Sequence, residues 1–257
     1  SRGLGDVYKR QDLGIVADCK LVLEALSSEN VTTAHHEEWI HYCKQNKQKH
    51  PFKYDKNEDD TFSKPQKSIE YIGKITNGDA IVTTDVGQHQ MWAAQFYPFK
   101  DHGQWVTSGG LGTMGFGIPS AIGAQLASPD KTVVCFVGDG GFQMTNQEMA
   151  LLPEYNLNVK IVLINNGTLG MVKQWQDKFF NQRFSHSVFN DQPDFIKMAE
   201  AYGINGYLID SSDKLESQID AAFNHNGPAL IEVRISPVEP VNPMVPSGKS
   251  NHEMEGL

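Results

Sequence analysis

Two short polar segments of this chain carry the residue types that bind a metal ion and a phosphate. One segment, Gly138 to Gly141, directly follows an apolar run, and the other, Asn165 to Thr168, directly follows the next apolar run. A carboxylate, an amide oxygen and a backbone carbonyl are hard ligands that suit Mg²⁺ or Ca²⁺. Glycines let the backbone approach a diphosphate closely and direct N–H groups at it. The two segments together predict a cation-bridged phosphate site at Asp139 and Asn166.

The runs that precede these segments predict how they meet. Residues 133–137 and 161–164 are wholly apolar, which is typical of buried parallel strands, and a helix is predicted between them at 146–155. A right-handed strand–helix–strand unit brings both strand ends to one edge of the sheet. We therefore expect Asp139 and Asn166 to face one small volume.

Both segments also admit a simpler interpretation as turns. Asp-Gly and Asn-Gly are strong hairpin signals. A hairpin needs an alternating strand after the turn, whereas residues 142–152 have a helical pattern. The pairing of both segments with adjacent apolar strands favours the site.

A third glycine-rich segment leaves a second alternative open. Gly110 to Gly115 has the GxGxxG spacing of a dinucleotide-binding turn, and the next predicted strand ends in the acid Asp139. A ribose-binding acid does not need glycines beside it, nor an Asn-Asn pair one strand later. A Rossmann-type dinucleotide-binding domain is therefore a less favoured interpretation than the cation-bridged phosphate site.

The remaining pattern predicts the fold class. Helices and strands alternate at 69–75 (helix), 80–85 (strand), 108–126 (glycine-rich segment and helix), 195–202 (helix) and 229–235 (strand). This alternation predicts an α/β protein with a parallel sheet covered by helices on both faces.

The first part of the chain has a different pattern, which indicates the end of a preceding domain. The sequence of residues 1–11 does not match the pattern of the residues after it, and we expect this segment to be foreign or disordered. Residues 12–44 are interpreted as the tail of a preceding domain, 45–67 as a polar linker, and 68–257 as the binding domain.

Composition excludes several classes of function. A net charge of −9 argues against sequence-independent binding of nucleic acid or of anionic lipid. The sequence contains no run of about 18 apolar residues that would predict a membrane span. Three widely spaced cysteines predict reduced thiols and a cytoplasmic location. The first methionine is Met91, so we expect a fragment or a processed product.

The paired motifs resemble those of thiamine-diphosphate enzymes. Three further segments, 85–92, 108–117 and 169–175, are similar to acetolactate (acetohydroxyacid) synthase, and the resemblance extends over about residues 13–247. It implies condensation of pyruvate with a second 2-keto acid, pyruvate or 2-ketobutyrate, with loss of CO₂, in the synthesis of valine and isoleucine. Glyoxylate carboligase and a catabolic acetolactate synthase remain alternatives within the larger group.

The resemblance also implies cofactors and partners. It implies thiamine diphosphate and Mg²⁺ in this chain, and FAD in a middle domain of which residues 12–44 would be the tail. It implies at least a homodimer and a small regulatory subunit. In the family an activating glutamate lies in the N-terminal domain of a neighbouring subunit, and no residue here is assigned that role. The chain is therefore expected to be inactive alone.

Individual roles follow from the resemblance. It implies Mg²⁺ ligation by the side chains of Asp139 and Asn166 and by the carbonyl of Thr168. It implies diphosphate contacts from Gln88, His89, Gly140, Gly141, Asn166, Gly167, Thr168, Leu169, Gly170 and Met171. It implies contacts to the cofactor rings from Gly112, Thr113 and Met114, and a second-substrate wall from Trp175. Without the resemblance, Met114 and Trp175 could be packing residues, and Gln88 and His89 ordinary loop residues.

Overall fold

The protein divides into two compact units in the computed structural model, Ser1–Pro51 and Phe52–Leu257. The structure describes residues 12–29, 35–56, 61–246, 248–250 and 252–256. The described part of the first unit contains the helices Cys19–Ser28 (α1) and Glu37–Lys49 (α2). The prediction for residues 1–11 lies outside the described residues, and the division into a domain tail, a linker and a binding domain stays a prediction.

The second unit alternates helices and strands. Its helices are Pro65–Ile75 (α3), Gln88–Phe96 (α4), Gly117–Ala127 (α5), Asp139–Thr145 (α6), Leu151–Glu154 (α7), Gly170–Phe179 (α8), Phe195–Ala201 (α9) and Leu215–Asn224 (α10). Its strands are Ile81–Thr84 (β1), Trp105–Thr107 (β2), Val133–Gly138 (β3), Val159–Asn165 (β4), Asn205–Ile209 (β5) and Ala229–Arg234 (β6). Short 3₁₀ turns occupy Asn146–Ala150 and Ser212–Lys214.

The six strands form one parallel sheet in the order β2-β1-β3-β4-β6-β5. From β1 the chain goes to β2 on one side and then to β3 on the other, so the winding direction reverses between β1 and β3. In α/β sheets, ligands bind outside the carboxyl ends of the strands at such a reversal. The topology therefore places a binding crevice beyond Thr84 and Gly138.

Helices cover both faces of this sheet, which confirms the predicted fold class. Val134 and Phe136 of β3 pack on one face with residues of α3, α4 and α10. Val133, Cys135 and Val137, which alternate with them, pack on the other face with residues of α5, α6 and α9. β3 is apolar throughout because its side chains are buried in both directions.

Several boundaries differ from the predicted ones. The helix after β3 begins at Asp139 rather than near residue 146, and the predicted helix at 146–155 is a 3₁₀ turn followed by α7. Glycine is a poor helix former, so Gly140 and Gly141 concealed the first turn of α6. The sequence interpretation also missed α2, α4, β5 and α10. No helix among the described residues is long and apolar enough to cross a membrane.

Candidate cofactor and metal site

A cleft lies at the carboxyl edge of the sheet, where β1, β3 and β4 end. Its empty volume, with the open mouth included, is about 450 Å³. It is lined by Val86, Gly87, Gln88, His89, Trp92, Met114, Gly138, Asp139, Gly140, Gly141, Ile164, Asn166, Thr168, Leu169, Gly170, Met171 and Val172. The cleft thus brings together most of the residues that the sequence singled out.

Asp139 supplies a buried carboxylate to this cleft. It is the first residue of α6 and is only 2% exposed. Its Oδ1 accepts a hydrogen bond of 3.0 Å from Gly140 N–H, and its Oδ2 accepts one of 2.7 Å from Gln192 Nε2. Burial raises the pKa of Asp139 to about 6, against the effect of these hydrogen bonds. A cation in the cleft would stabilise the ionised form.

Asn166 faces the same cleft from the end of β4. Its Oδ1 accepts a hydrogen bond of 3.0 Å from Thr168 N–H, and its Nδ2 donates one of 3.0 Å to Gln88 Oε1. Gln88 is the first residue of α4, so this bond joins two elements of the cleft wall. Within the described part of the chain, the buried hydroxyl of Thr168 has no hydrogen-bond partner.

His89 places a second unpartnered polar atom in the cleft wall. Its ring is buried, and Nε2 finds no hydrogen-bond partner among the described residues. Burial lowers the pKa of His89 to about 4, so the ring is neutral at pH 7. A methyl group on Gly138 would lie 2.8 Å from His89 Nδ1, so this close approach requires glycine. Buried polar atoms normally have partners, and a polar ligand would supply one here.

The donor set fits one divalent cation and a diphosphate. No group of three His, Cys, Asp or Glu side chains that could hold a metal occurs in the described ranges. A cation would therefore take the single carboxylate of Asp139 with amide and carbonyl oxygens of Asn166 and Thr168. Mg²⁺ commonly binds this way and completes its shell with phosphate and water oxygens. A side chain at Gly170 would collide with Gln88 Oε1, so the wall of this cleft depends on glycine there too.

Asp85 supports the cleft wall, a role that the sequence interpretation did not assign to it. Its fully buried carboxylate accepts hydrogen bonds from the backbone N–H groups of Val86 (2.8 Å), Gly115 (2.8 Å) and Gly117 (3.0 Å). These bonds tie the end of β1 to the glycine-rich loop that presents Met114 to the cleft. The available signal was an acid at the end of an apolar strand.

Two glutamines were also missed, and no sequence signal identifies them. Gln192 binds the carboxylate of Asp139, and Gln174 Oε1 accepts a hydrogen bond of 2.7 Å from Gln88 Nε2. Each lies more than 50 positions from its partner, so only folding pairs them.

Four predicted site residues lie outside the lining of the cleft. Gly112 and Thr113 are exposed on the glycine-rich loop, beside the lining residue Met114. Gly167 borders a neighbouring depression that also contains Gln192. Trp175 lies on α8 and is 44% exposed. The roles of these four residues stay predictions, as do the roles of the residues that line the cleft.

Comparison with known families identifies the family to which this chain belongs. Residues 85–233, more than half of the chain, match the family described as thiamine pyrophosphate enzyme, C-terminal TPP binding domain. The chain belongs to this thiamine pyrophosphate enzyme family. The matched range contains Asp85, Asp139 and Asn166, and also Gly110 to Gly115, so it disfavours the dinucleotide alternative.

Individual members of the thiamine pyrophosphate enzyme family are similar over most of this chain. The acetolactate synthase large subunit of Lactococcus lactis is 50% identical over 254 residues, which are 99% of this chain and 44% of that protein. Isozyme 2 large subunit of Escherichia coli is 44% identical over 84% of this chain and 39% of its own length. Chloroplastic acetolactate synthase 1 of Nicotiana tabacum is 41% identical over 93% of this chain and 38% of its own.

These relatives confirm the resemblance to acetolactate synthase. The chain spans about two fifths of the length of the curated relatives it matches.

Proposed function

We propose that this chain forms the thiamine-diphosphate- and Mg²⁺-binding part of an acetolactate synthase. The complete protein would condense pyruvate with pyruvate or 2-ketobutyrate and release CO₂. The observation that carries the proposal is the convergence of Asp139 and Asn166 on one cleft at the reversal point of a parallel sheet. The similarity to acetolactate synthase large subunits supports the choice of reaction.

The chain's own groups would hold the charged end of the cofactor. The side chains of Asp139 and Asn166 and the carbonyl of Thr168 would bind Mg²⁺, which would supply positive charge for the diphosphate. Gly170 and Met171, the first two residues of the ten-residue helix α8, line the cleft at the positive end of the helix. Local positive charge of this kind offsets the net charge of −9 that otherwise repels a diphosphate.

Two other side chains, Met114 and Trp175, would position the reacting end of the cofactor and the second substrate. When bound, thiamine diphosphate supplies the carbon nucleophile and the electron sink for decarboxylation of a 2-keto acid. Met114, held between Asp85-bound Gly115 and the exposed loop residues, would pack under the cofactor and keep it bent. Trp175 would form an apolar wall for the second keto acid. These two side chains would set geometry and specificity and would not transfer protons.

Other parts of the proposal rest on the resemblance alone. They are FAD in a part of the protein outside this chain, a homodimer, a small regulatory subunit, a cytoplasmic location and a role in valine and isoleucine synthesis. The glutamate that activates the cofactor would come from a neighbouring subunit. We therefore expect no acetolactate from the 257-residue chain given pyruvate, Mg²⁺ and thiamine diphosphate, and robust turnover would refute this part.

Substitution of Asp139 tests the proposal directly. Asp139→Asn in the complete protein removes the carboxylate from the cation site and should nearly abolish Mg²⁺-dependent binding of thiamine diphosphate in calorimetry. Asp130→Asn, an exposed acid in the turn before β3, is the matched control and should bind normally. Unchanged affinity in Asp139→Asn would reject the site. Binding of NAD that ignores Mg²⁺ would instead favour the dinucleotide alternative.

A further inference from the structure

Three buried or partly buried carboxamides form a chain from the C-terminal segment to the candidate cation site. Gln174 pairs with the backbone of Val241: its Oε1 accepts from Val241 N–H at 3.0 Å, and its Nε2 donates to Val241 O at 3.3 Å. Gln88 Nε2 donates to the same Oε1 of Gln174 at 2.7 Å. Asn166 Nδ2 then donates to Gln88 Oε1, and Asn166 Oδ1 accepts from Thr168 N–H.

The orientation of the three carboxamides in this series of hydrogen bonds is set at Val241. A carboxamide has a donor end and an acceptor end of nearly the same shape, so hydrogen-bond partners decide its orientation. A backbone N–H and C=O cannot exchange places, so Val241 determines which end of Gln174 faces Gln88. Gln174 in turn requires the NH₂ group of Gln88, and Gln88 then requires the NH₂ group of Asn166. Turning any one of the three amides would oppose two donors or two acceptors.

The C-terminal segment that begins this chain is itself anchored. The carboxylate of Glu239 accepts hydrogen bonds from Lys64 Nζ at 2.8 Å and from Gln66 Nε2 at 3.0 Å. The backbone carbonyl of Glu239 also accepts from Gln88 Nε2 at 3.2 Å, which reinforces the orientation of Gln88. The Lys64–Glu239 pair is mostly buried, with 19% and 10% of the two side chains exposed. The reference point at Val241 is therefore held in place.

We propose that Gln174 is a positioning residue that keeps the oxygen of Asn166, rather than its NH₂ group, available to the cation. The inference rests on the proposed function, because it takes Asn166 as a cation ligand. Gln174 is 8% exposed and does not line the cleft, so it acts through Gln88 and not by touching the ligand. A reversed Asn166 would present hydrogen atoms to a cation, which cannot bind them.

The affinity of the complete protein for Mn²⁺, with thiamine diphosphate present, measures this effect. Electron paramagnetic resonance of free and bound Mn²⁺ gives the dissociation constant. Gln174→Met has a similar volume but no polar end. It should weaken Mn²⁺ binding by about tenfold, because Gln88 keeps only its longer bond to Glu239 O, and Asn166 then depends on Thr168 N–H to hold its oxygen towards the cation. Lys173→Met is the matched control. Lys173 also joins α8 to the C-terminal segment, through Pro237 O at 3.0 Å, but stands outside the amide chain. It should change the constant by less than about twofold.

A second pair of variants separates positioning from general stability. Asn166→Asp has two equivalent oxygens and needs no orientation, so adding Gln174→Met to it should cause no further loss. Equal losses in the Asn166 and Asn166→Asp backgrounds would overturn the inference, because they would indicate a merely structural role.

The remaining outcomes are also decisive. If Gln174→Met does not fold, as judged by circular dichroism, Gln174→Glu replaces it. That variant keeps an acceptor for Gln88 Nε2 and for Val241 N–H and loses only the donor to Val241 O. Affinity within about threefold therefore supports the inference, and a tenfold loss contradicts it. Asp139→Asn in the same assay tests the proposed function. If Asp139→Asn loses Mn²⁺ and Gln174→Met does not, the positioning role alone fails. If Asp139→Asn retains Mn²⁺, the proposed site fails.

Discussion

The carboxylate of Asp85 accepts a hydrogen bond of 2.8 Å from the backbone N–H of Gly115. The same Oδ2 atom accepts a second bond from Gly117, while Oδ1 accepts from Val86. One buried side chain therefore joins the end of β1 to the loop that carries Met114 and to the start of α5. Asp85 thereby positions Met114, a residue of the cleft wall, although Asp85 itself does not line the cleft.

Replacing this carboxylate should loosen the glycine-rich loop. Asp85→Asn turns one acceptor into an NH₂ group that faces backbone donors, at a cost of about 1–3 kcal/mol in the free energy of unfolding. Chemical denaturation measures this cost, and calorimetry should show weaker binding of thiamine diphosphate as Met114 moves. Asp79→Asn, which removes an exposed ion pair with Lys131, should cost no more than about 1 kcal/mol. Equal effects of the two substitutions would contradict the role of Asp85.

Two helical glycines should respond to alanine in opposite ways. A Cβ on Gly141 in α6 would collide with the Asp85 carboxylate, whereas one on Gly123 in α5 would meet nothing within 4 Å. Gly123→Ala should raise the free energy of unfolding by about 0.5–1 kcal/mol, since alanine is the better helix former. Gly141→Ala should lower it by about 1–3 kcal/mol. Urea denaturation compares them, and stabilisation by both would show that the contact at Asp85 relaxes freely.

The buried ring of His89 should make stability depend on pH. Its pKa is about 4 in the folded protein, below the ordinary value of 6.5. Between these values the unfolded chain binds a proton that the folded chain does not. Stability from this group is therefore present above pH 6.5 and is lost as the pH falls towards 4, by up to about 3 kcal/mol.

Comparison with a non-titrating variant isolates the contribution of His89. The pKa of Asp139 is raised to about 6, so Asp139 acts in the opposite direction and favours the folded state as the pH falls. The free energy of unfolding of wild type and of His89→Asn should therefore be measured at pH 7 and pH 5. The difference between the two proteins should shift in favour of His89→Asn at pH 5. A difference that does not change with pH would refute the prediction.

Trp175 provides a prediction about specificity. The two acceptor keto acids differ by one methylene, and an apolar wall discriminates a methylene by about 1–3 kcal/mol, or roughly 10–200-fold. Trp175→Leu in the complete protein should retain most acetolactate synthesis and lose most of the preference for 2-ketobutyrate. Competition between the two keto acids, scored by the product ratio, is the measurement. An unchanged product ratio would indicate that Trp175, which is 44% exposed, is a packing residue and does not contact the second keto acid.

The sequence alone identified the two central strands, β3 and β4, and the two polar groups that follow them in the cleft. β3 and β4 are wholly buried strands, so their apolar runs are unbroken and easily recognised. The residues that follow them, Asp139 and Asn166, meet because parallel strands share one carboxyl edge. The apolar pattern predicted the two strands, and the rule that parallel strands share one carboxyl edge predicted that Asp139 and Asn166 face the same cleft.

Only the tertiary structure decided the supporting contacts. Asp85 binds a loop 30 positions away, and Gln174 binds Gln88 at a separation of 86 positions. A glutamine has the same local pattern whether it faces water or a buried amide, so its partner is chosen when distant elements pack. The start of α6 was hidden for the same reason: two glycines weaken a helix locally, but here they admit the carboxylate of Asp85 and the side chain of Leu169, which leave no space for a Cβ.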